Sequence, residues 1–220
     1  MTIRAVLFDL DGTLVDSLED LTDAVNHVRA FFSLSRLSTH EVGLMVGKGA
    51  RNLIRQALPD SSVHEFERGL QLFFDFNTAH IADKSRLYPD AAETLVQLQS
   101  IGTRLSVISN KNERLSNLIL QKLEIHHFFE FICGGDTFSE MKPSPLPLLQ
   151  VIAQLGVTRQ EAVMVGDSIN DIQAGRQAGI MTIGCRWGYG NSAELAGSDY
   201  LAESCKNVFA IIRSLRSRTV

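Results

Sequence analysis

The chain has few cysteines, and their spacing suits neither a disulfide framework nor a zinc site. Its three cysteines, Cys133, Cys185 and Cys205, are widely separated in 220 residues and form no C-x-x-C pair. An odd, scattered set of this kind is typical of a protein kept in a reducing compartment. We therefore expect free thiols and a cytoplasmic protein.

The sequence also lacks a block of basic residues and a long apolar run. Its net charge is −4, from 21 Lys and Arg against 25 Asp and Glu. Nucleic-acid binding needs a clustered basic face, so nucleic acid is excluded as the main partner. No apolar run approaches the roughly 18 residues of a membrane span, and the first residues lead straight into a strand. We expect neither a membrane anchor nor a signal peptide.

The feature that organises the chain is an apolar run that ends on two acidic residues. Residues 3–8 predict a strand that is buried on both faces, as in a parallel sheet. Asp9 follows at once, Asp11 lies two residues further, Gly12 permits a tight turn and Thr13 adds a hydroxyl. Two carboxylates at the end of a buried strand are costly unless a cation lies beside them.

Residues 16–84 show helical patterns and no strand pattern. Asp16 and Ser17 can cap a first helix, and Ser38 with Glu41 forms a capping box for a short helix that ends near residue 46. Further helices are predicted over residues 50–58 and 63–82. Half of the chain's 12 phenylalanines lie in this segment, enough for a core of its own. We interpret it as an all-helical cap domain inserted into a core made of residues 1–15 and 85–220.

From residue 85 onward, strands and helices alternate. Apolar strands are predicted over residues 105–108, 128–133, 162–165 and 180–184, with a short extended piece near 200, and Asp90 with Glu93 resembles a capping box. With the first strand, this alternation predicts an α/β fold whose core is a Rossmann-like parallel sheet. Ligands of such sheets bind beyond the carboxyl ends of the strands. Asp9, Ser109 and Asp167 all stand at predicted strand ends, and Lys142 follows another strand by a short loop.

These residue types suit phosphoryl transfer. Asp9, Asp11, Asp167 and Asp171 would carry four negative charges into one cleft, which Lys142 and a hard dication would balance. Mg²⁺ is the natural choice because it takes oxygen ligands and shares phosphate oxygens. The cluster therefore predicts both a magnesium ion and an anionic substrate.

The same residues divide the chemistry between them. An ionised Asp9 could attack phosphorus, and Asp11 could act as general acid and then base. The hydroxyls of Ser109 and Thr13, with backbone N–H groups around Gly12 and at Asn110, would hold the phosphoryl oxygens.

The D-x-D-G-T sequence from Asp9 to Thr13 resembles the first motif of the haloacid-dehalogenase-like phosphohydrolases. Ser109, Lys142 and a G-D-x-x-x-D segment at residues 166–171 match the other three motifs in order. The resemblance implies that Asp9 is the nucleophile and Asp11 the acid/base. It also implies that Asp9, the Asp11 backbone carbonyl and Asp167 bind Mg²⁺, that Asp171 supports the metal shell, and that the helical insertion closes over the site.

Several stretches are similar to the phosphoglycolate phosphatase branch of that family, namely residues 109–111, 134–136, 142–149 and 187–190. Residues 46–51 resemble its specificity loop, where Lys48 or Arg51 would hold a small carboxylate; the alternative is a glycine-bounded connector with exposed basic residues. The branch often has Thr at position 109 and Asn at position 48, so these two departures bear on the substrate.

The resemblance implies a Mg²⁺-dependent phosphomonoesterase for a small phosphorylated metabolite, with 2-phosphoglycolate as first choice, in a monomer or homodimer. A sugar-phosphate phosphatase, a pyrophosphatase or a β-phosphoglucomutase-like phosphotransferase is the alternative within the fold. Phosphonate hydrolysis would need a cap lysine, and Lys48 is the one lysine between residues 16 and 83. A non-catalytic metabolite-binding regulator is a different class, but it would be expected to lack Asp9 or Asp11.

Overall fold

The computed structural model of the protein describes residues 2–217. In that range the chain forms eight strands, which are listed here in order: β1 (Ala5–Phe8), β2 (Val15–Asp16), β3 (Arg86–Leu87), β4 (Arg104–Ile108), β5 (Phe131–Cys133), β6 (Ala162–Gly166), β7 (Met181–Cys185) and β8 (Tyr200–Ala202). Six of them form one parallel sheet in the order β5-β4-β1-β6-β7-β8. The predicted α/β parallel-sheet fold is confirmed. Met1 and residues 218–220, assigned above to the core, lie outside the described residues.

The described residues also form ten α-helices and two short 3₁₀ helices. The α-helices are α1 (Leu18–Phe31), α2 (Thr39–Gly43), α3 (Gly49–Ala57), α4 (Val63–Ala79), α5 (Ala91–Ser100), α6 (Glu113–Lys122), α7 (Leu146–Leu155), α8 (Ile169–Ala178), α9 (Ser192–Leu195) and α10 (Cys205–Ser217), and the 3₁₀ helices are His126–Phe128 and Arg159–Glu161. None of these helices is long and apolar enough to cross a membrane.

Strand β1 lies at the centre of the sheet and is buried on both faces. Alternate residues point to opposite faces of a strand, and Val6 and Phe8 enter one apolar cluster while Ala5 and Leu7 enter the other. Helices α5 and α10 contribute to the first cluster and helices α7 and α8 to the second. Burial on both sides explains why the sequence of β1 is a continuous apolar run.

Helices α1 to α4 form the inserted unit and have a separate apolar cluster. Its members come from all four helices, among them Val28, Val42, Ile54 and Phe73. The insertion leaves and rejoins the core through a two-stranded antiparallel ribbon, in which Val15 of β2 pairs with Leu87 of β3. The sequence reading did not predict this ribbon. Our interpretation of this arrangement is that residues 16–84 form a cap domain.

Several local predictions are corrected by the structure. The strand predicted over residues 128–133 begins only at Phe131, because residues 126–128 form a 3₁₀ turn. The short helix predicted to end near residue 46 ends at Gly43, and the run predicted to residue 82 ends at Ala79.

The predicted helix caps have mixed outcomes. The Ser38–Glu41 capping box is confirmed, since Ser38 Oγ accepts from Glu41 N and Glu41 accepts from Ser38 N. Asp90 does not cap its helix with its side chain. It adopts a left-handed conformation with φ of 65°, and its carboxylate pairs with Lys206 Nζ at 2.9 Å. Ser17 stands at the start of α1 but makes no cap bond, since its hydroxyl is used elsewhere.

Candidate active site

The candidate site lies at the carboxyl edge of the sheet, where three neighbouring strands end. Asp9 follows β1, Ser109 follows β4 and Asp167 follows β6, and β1 lies between the other two strands. Because the strands are parallel, residues at their ends meet at one edge. All three side chains belong to buried residues. The structure therefore brings together residues that lie up to 158 positions apart, from 9 to 167, as the strand-end pattern predicts.

Three carboxylates form a cluster at this edge. Asp9, Asp167 and Asp171 each offer an oxygen, and the three oxygens lie within 4.8 Å of one another. Lys142 Nζ lies 2.8 Å from Asp9 Oδ1 and 2.6 Å from Asp171 Oδ1. The other oxygen of Asp171 accepts hydrogen bonds from Ser168 N at 3.0 Å and Ser168 Oγ at 2.7 Å. Asp171 thus has both oxygens bonded, while Asp9 has one ammonium contact.

The electrostatics of this cluster favour a bound cation. Burial raises the pKa of Asp9 to about 8, against the opposing attraction of Lys142 and with added repulsion from Asp171 and Asp167. Burial, and then repulsion by Asp171, raises the pKa of Asp167 to about 7. Burial acts to lower the pKa of Lys142, but attraction by Asp171 and Asp9 outweighs it and the pKa is raised. One ammonium against three carboxylates leaves two negative charges when all are ionised. The donor set, all oxygen, fits a hard dication such as Mg²⁺.

Asp167 is held by a loop that follows β7. Its Oδ2 accepts from the backbone N–H groups of Tyr189 at 2.7 Å and Gly190 at 3.3 Å. Its Oδ1 accepts from Thr13 Oγ1 at 3.0 Å. Gly12 has φ of +88°, and a Cβ there would overlap the Asp167 carboxylate. Thr13, predicted to hold phosphoryl oxygens, therefore contacts a carboxylate of the cluster in this structure, and Gly12 allows the close approach.

Asp11 lies apart from the cluster of three carboxylates. Its Oδ1 accepts from Ser17 Oγ at 2.5 Å, and Lys111 Nζ lies 3.2 Å from Oδ1 and 3.1 Å from Oδ2. The sequence reading placed Lys111 only within a family-like segment and gave it no role. Its signal was weak, since a lysine after a strand end is usually solvated. Here its side chain is only 6% exposed and lines the same cavity as Asp11.

The inserted helical unit closes onto the core through the loop before α3. Asn110 Nδ2 donates to the backbone oxygen of Gly47 at 2.8 Å and to that of Lys142 at 2.8 Å. Asn170 Nδ2 donates to the same Gly47 oxygen at 3.2 Å. Asn110, predicted to bind substrate, thus uses its side chain to join the two halves of the molecule.

A cavity of about 50 Å³ lies between the two halves, with room for only a few water molecules. The core lines it with charged and polar groups, including Asp9, Asp11, Ser109 and Lys142. The insertion lines it with apolar side chains and one amide, that of Asn77 in α4, which the sequence reading did not identify.

Lys48 and Arg51 do not line this cavity. Both line a separate groove on the outer side of the loop, beside Met141 and Pro143. Arg51 pairs with Glu67 at 2.6 Å, and its side chain is 62% exposed. The predicted contact of these two residues with a small carboxylate therefore stays a prediction, and the structure places their side chains outside the cavity.

The comparison with protein families identifies the chain. The family model described as haloacid dehalogenase-like hydrolase matches residues 6–185, which contain all four strand-end motifs. The chain belongs to the haloacid dehalogenase-like hydrolase family. The predicted family resemblance is confirmed.

Curated relatives agree with this assignment. The chain is 38% identical over 217 residues to a phosphoglycolate phosphatase of Chromobacterium violaceum, covering 96% of this chain and 97% of that protein. It is 37% identical over 202 residues to a phosphoglycolate phosphatase of Neisseria meningitidis, covering 90% and 86% of the two chains. The prediction that the chain is a phosphatase of this family is confirmed.

Solved structures share the fold over nearly the whole chain. A predicted phosphoglycolate phosphatase from Haemophilus somnus 129PT superposes with a TM-score of 0.92 at 30% identity, covering 96% of this chain and 98% of the other. CbbY from Rhodobacter sphaeroides, solved in complex with phosphate, superposes with a TM-score of 0.82 at 25% identity, covering 93% and 95%.

Proposed function

We propose that the protein is a magnesium-dependent phosphomonoesterase that acts through an aspartyl-phosphate on Asp9, and that 2-phosphoglycolate is its substrate. The observation that carries this proposal is the position of Asp9, 2.8 Å from Lys142 Nζ and beside Asp167 and Asp171, at the floor of a small cavity. The small cavity and the relatives named phosphoglycolate phosphatase support the choice of substrate.

Asp9 and Asp167 would hold Mg²⁺ with their carboxylates, and Asp11 would add its backbone carbonyl. When bound, the ion supplies positive charge that favours ionised Asp9 and attracts the phosphoryl oxygens. Asp171 would not contact the ion directly, since its two oxygens are bonded to Lys142 and Ser168. It would hold Lys142 in place beside Asp9.

In the first half-reaction, an Asp9 carboxylate oxygen attacks phosphorus in line with the ester bond. A bond forms between that oxygen and phosphorus while the bond to the ester oxygen breaks. Asp11, as the carboxylic acid, gives its proton to the leaving oxygen. The products are the alcohol, here glycolate, and the aspartyl-phosphate.

In the second half-reaction, water attacks the phosphorus and Asp11 takes its proton. The bond between phosphorus and the Asp9 oxygen breaks, so that phosphate leaves and the Asp9 carboxylate is restored. Ser17 and Lys111 hold the Asp11 carboxylate in place for both transfers. Ser109 Oγ accepts a hydrogen bond from Lys111 N at 3.2 Å. The hydroxyl of Ser109 can therefore donate its own hydrogen bond to a phosphoryl oxygen.

A larger substrate is the second candidate, and the outer groove favours it. Lys48, Arg51 and Arg55 give this groove a basic rim next to Lys142. A sugar phosphate with a second anionic group would extend from the cavity toward that rim. The carboxylate of 2-phosphoglycolate would instead stay inside the cavity.

The test is phosphate release from 2-phosphoglycolate, two sugar phosphates and pyrophosphate, with Mg²⁺ and with EDTA. We expect 2-phosphoglycolate to give the highest kcat/KM, and EDTA or Asp9→Asn to abolish turnover of every substrate. The Lys122→Met variant, which changes an exposed lysine at the end of α6 that does not line the cavity, is the control. Turnover that survives Asp9→Asn would contradict the mechanism. A sugar phosphate as best substrate would replace the proposed one.

A further inference from the structure

The two walls of the cavity differ in chemistry. The core wall carries the reacting groups Asp9 and Asp11 and the ammonium groups of Lys111 and Lys142. Among the described residues that line the cavity, those from the helical insertion carry no charge. They are the side chains or backbone of Leu21, Val46, Gly47, Gly49, Ala50, Leu53, Phe73, Phe74 and Asn77. A substrate whose phosphate lies on the core wall therefore places its remaining atoms against a wall that is apolar except for one amide.

That amide is buried and has no protein partner. Asn77 is 2% exposed, and no described group of the protein accepts a hydrogen bond from its Nδ2. The other asparagines that line the cavity differ as donors, although the Asn110 Oδ1 acceptor is also buried without a partner. The side-chain N–H groups of Asn110, Asn112 and Asn170 all donate to protein oxygens.

A buried donor without a partner costs free energy, so such groups are few in folded proteins, and one that lines a cavity calls for an acceptor there. Asn77 stands one helical turn from Phe73 in α4, and both side chains face the cavity. An apolar residue at position 77 would continue the wall that Phe73 and Leu53 already form. The amide is therefore explained by an acceptor that enters the cavity with the substrate.

We propose that Asn77 is a specificity-determining residue, whose Nδ2 donates a hydrogen bond to a carboxylate oxygen in the leaving group of the substrate. This inference rests on the proposed function for the identity of that carboxylate. Lys111 of the core lines the same cavity and adds positive charge to it, and its ammonium is held by Asp11. The apolar side chains around Asn77 keep the leaving group small.

The experiment compares two esters that differ only at the predicted acceptor. In ethyl phosphate, a methyl group replaces the carboxylate of 2-phosphoglycolate. We expect Asn77→Leu, which keeps the size of the side chain and removes the donor, to lower kcat/KM for 2-phosphoglycolate about ten- to hundredfold. The value for ethyl phosphate is expected to change less than about threefold, because that ester offers no oxygen at this position. Asn77→Asp should reduce turnover of 2-phosphoglycolate further, through repulsion of two carboxylates.

Asn26 provides the matched control. It is equally buried in the insertion at 2% exposure, but it lies outside the cavity and its amide exchanges two hydrogen bonds with Leu37. We expect Asn26→Leu to lower Tm and to leave the ratio of the two kcat/KM values unchanged. Asn77→Leu should leave Tm unchanged or raise it, because no protein hydrogen bond of its Nδ2 is lost.

A binding measurement separates this inference from the proposed reaction. In the Asp9→Asn background, where turnover is not expected, calorimetry gives the Kd of 2-phosphoglycolate and of inorganic phosphate with Mg²⁺ present. Adding Asn77→Leu should raise the Kd of 2-phosphoglycolate about tenfold or more and leave the Kd of phosphate unchanged. Equal weakening of both ligands, no weakening of either, or equal losses of kcat/KM for the two esters would each overturn the role of Asn77. Loss of the reaction itself, with binding discrimination intact, would count against the proposed function alone.

Discussion

Asn110 of the core donates its side-chain Nδ2 to the backbone oxygen of Gly47 in the helical insertion, at 2.8 Å. The same oxygen accepts from Asn170 Nδ2 at 3.2 Å. One carbonyl thus receives two core amides, at the place where the insertion meets the end of β4. This contact holds the loop before α3 against the edge of the sheet and closes the cavity over Asp9.

The first prediction concerns this contact. Asn170→Ala removes one of the two donors to Gly47 without altering a group that reacts. We expect kcat/KM to fall about threefold to tenfold, since one neutral hydrogen bond contributes about 1 kcal/mol. Amide exchange in residues 44–50 should become faster, because the closed arrangement is less populated. Mass-spectrometric hydrogen exchange measures this directly.

Asn52→Ala is the control for that experiment. Asn52 lies on α3 beside the same loop, but its side-chain oxygen accepts only from Gln56 within the helix. Its replacement should change neither the exchange of residues 44–50 nor kcat/KM. Unchanged exchange in Asn170→Ala would show that the Gly47 contact does not hold the loop.

The second prediction concerns Lys111, whose Nζ lies 3.1 Å from Asp11 Oδ2. Lys111→Met keeps most of the side-chain volume and removes the ammonium. We expect kcat to fall about ten- to hundredfold, because Asp11 then loses a charged group that fixes the carboxylate for proton transfer. Steady-state kinetics with 2-phosphoglycolate measures the change.

A substrate with a good leaving group tests the reason for that loss. Protonation of p-nitrophenolate by Asp11 matters little, so Lys111→Met should slow formation of the aspartyl-phosphate from p-nitrophenyl phosphate much less. Burst-phase kinetics follows this step. Equal slowing with both substrates would mean that Lys111 acts on the phosphoryl group and not through Asp11.

The strand-end residues could be predicted from the sequence because a topological rule connects them. Apolar runs alternating with helices predict parallel strands, and parallel strands place their carboxyl ends together. Asp9, Ser109 and Asp167 needed no further information, and Lys142 followed from its place after the next strand. The structure adds that Lys142 contacts both Asp9 and Asp171, with one ammonium between two carboxylates.

The contacts that the sequence did not reveal are those without a local pattern. The β2–β3 ribbon has two residues in each strand, too few for alternation to be recognised. Tyr189 reaches Asp167 across 22 residues, and Lys111 reaches Asp11 across 100. Asp90 is of a residue type that often caps helices, but its carboxylate instead pairs with Lys206, which is distant in sequence. In each case a tertiary contact decides the role of the side chain.

The third prediction concerns the ammonium between Asp9 and Asp171. Lys142→Met leaves both carboxylates buried without their cation, since Lys142 is 2% exposed. Without added metal at pH 8, we expect the free energy of unfolding to fall by about 3 kcal/mol. At pH 5.5 the loss should be smaller, because Asp9, whose pKa burial raises to about 8, is then protonated and needs the ammonium less. Urea denaturation at the two pH values measures both losses.

The controls for Lys142→Met separate charge from packing. Lys122→Met, at an exposed position, should change the free energy of unfolding by less than about 0.5 kcal/mol at either pH. Lys142→Arg keeps a positive charge and should retain part of the stability. An equal loss at pH 8 and pH 5.5 would mean that the lost stability comes from packing of the lysine stem.

The last prediction concerns the dependence of metal binding on pH. Burial raises the pKa of Asp9 to about 8 and that of Asp167 to about 7, so the metal-free folded state binds protons that the unfolded chain has lost above about pH 4. This contribution to stability is complete below the unfolded pKa values, falls progressively as the pH rises from about 4, and is gone once the pH passes the folded values of about 7 and 8. Mg²⁺ needs the ionised carboxylates, so its binding strengthens over the same range.

At a concentration 100 times its Kd, the ion adds about 2.7 kcal/mol to the free energy of unfolding, which raises Tm by roughly 5–10 °C. We expect MgCl₂ at 100 times its Kd at pH 8.5 to raise Tm by that amount at pH 8.5, and the same concentration to raise it by much less at pH 5.5, in differential scanning calorimetry. Asp167→Asn should abolish the increase at both pH values, and an increase that is the same at pH 5.5 and 8.5 would contradict the assignment of the cluster as the magnesium site.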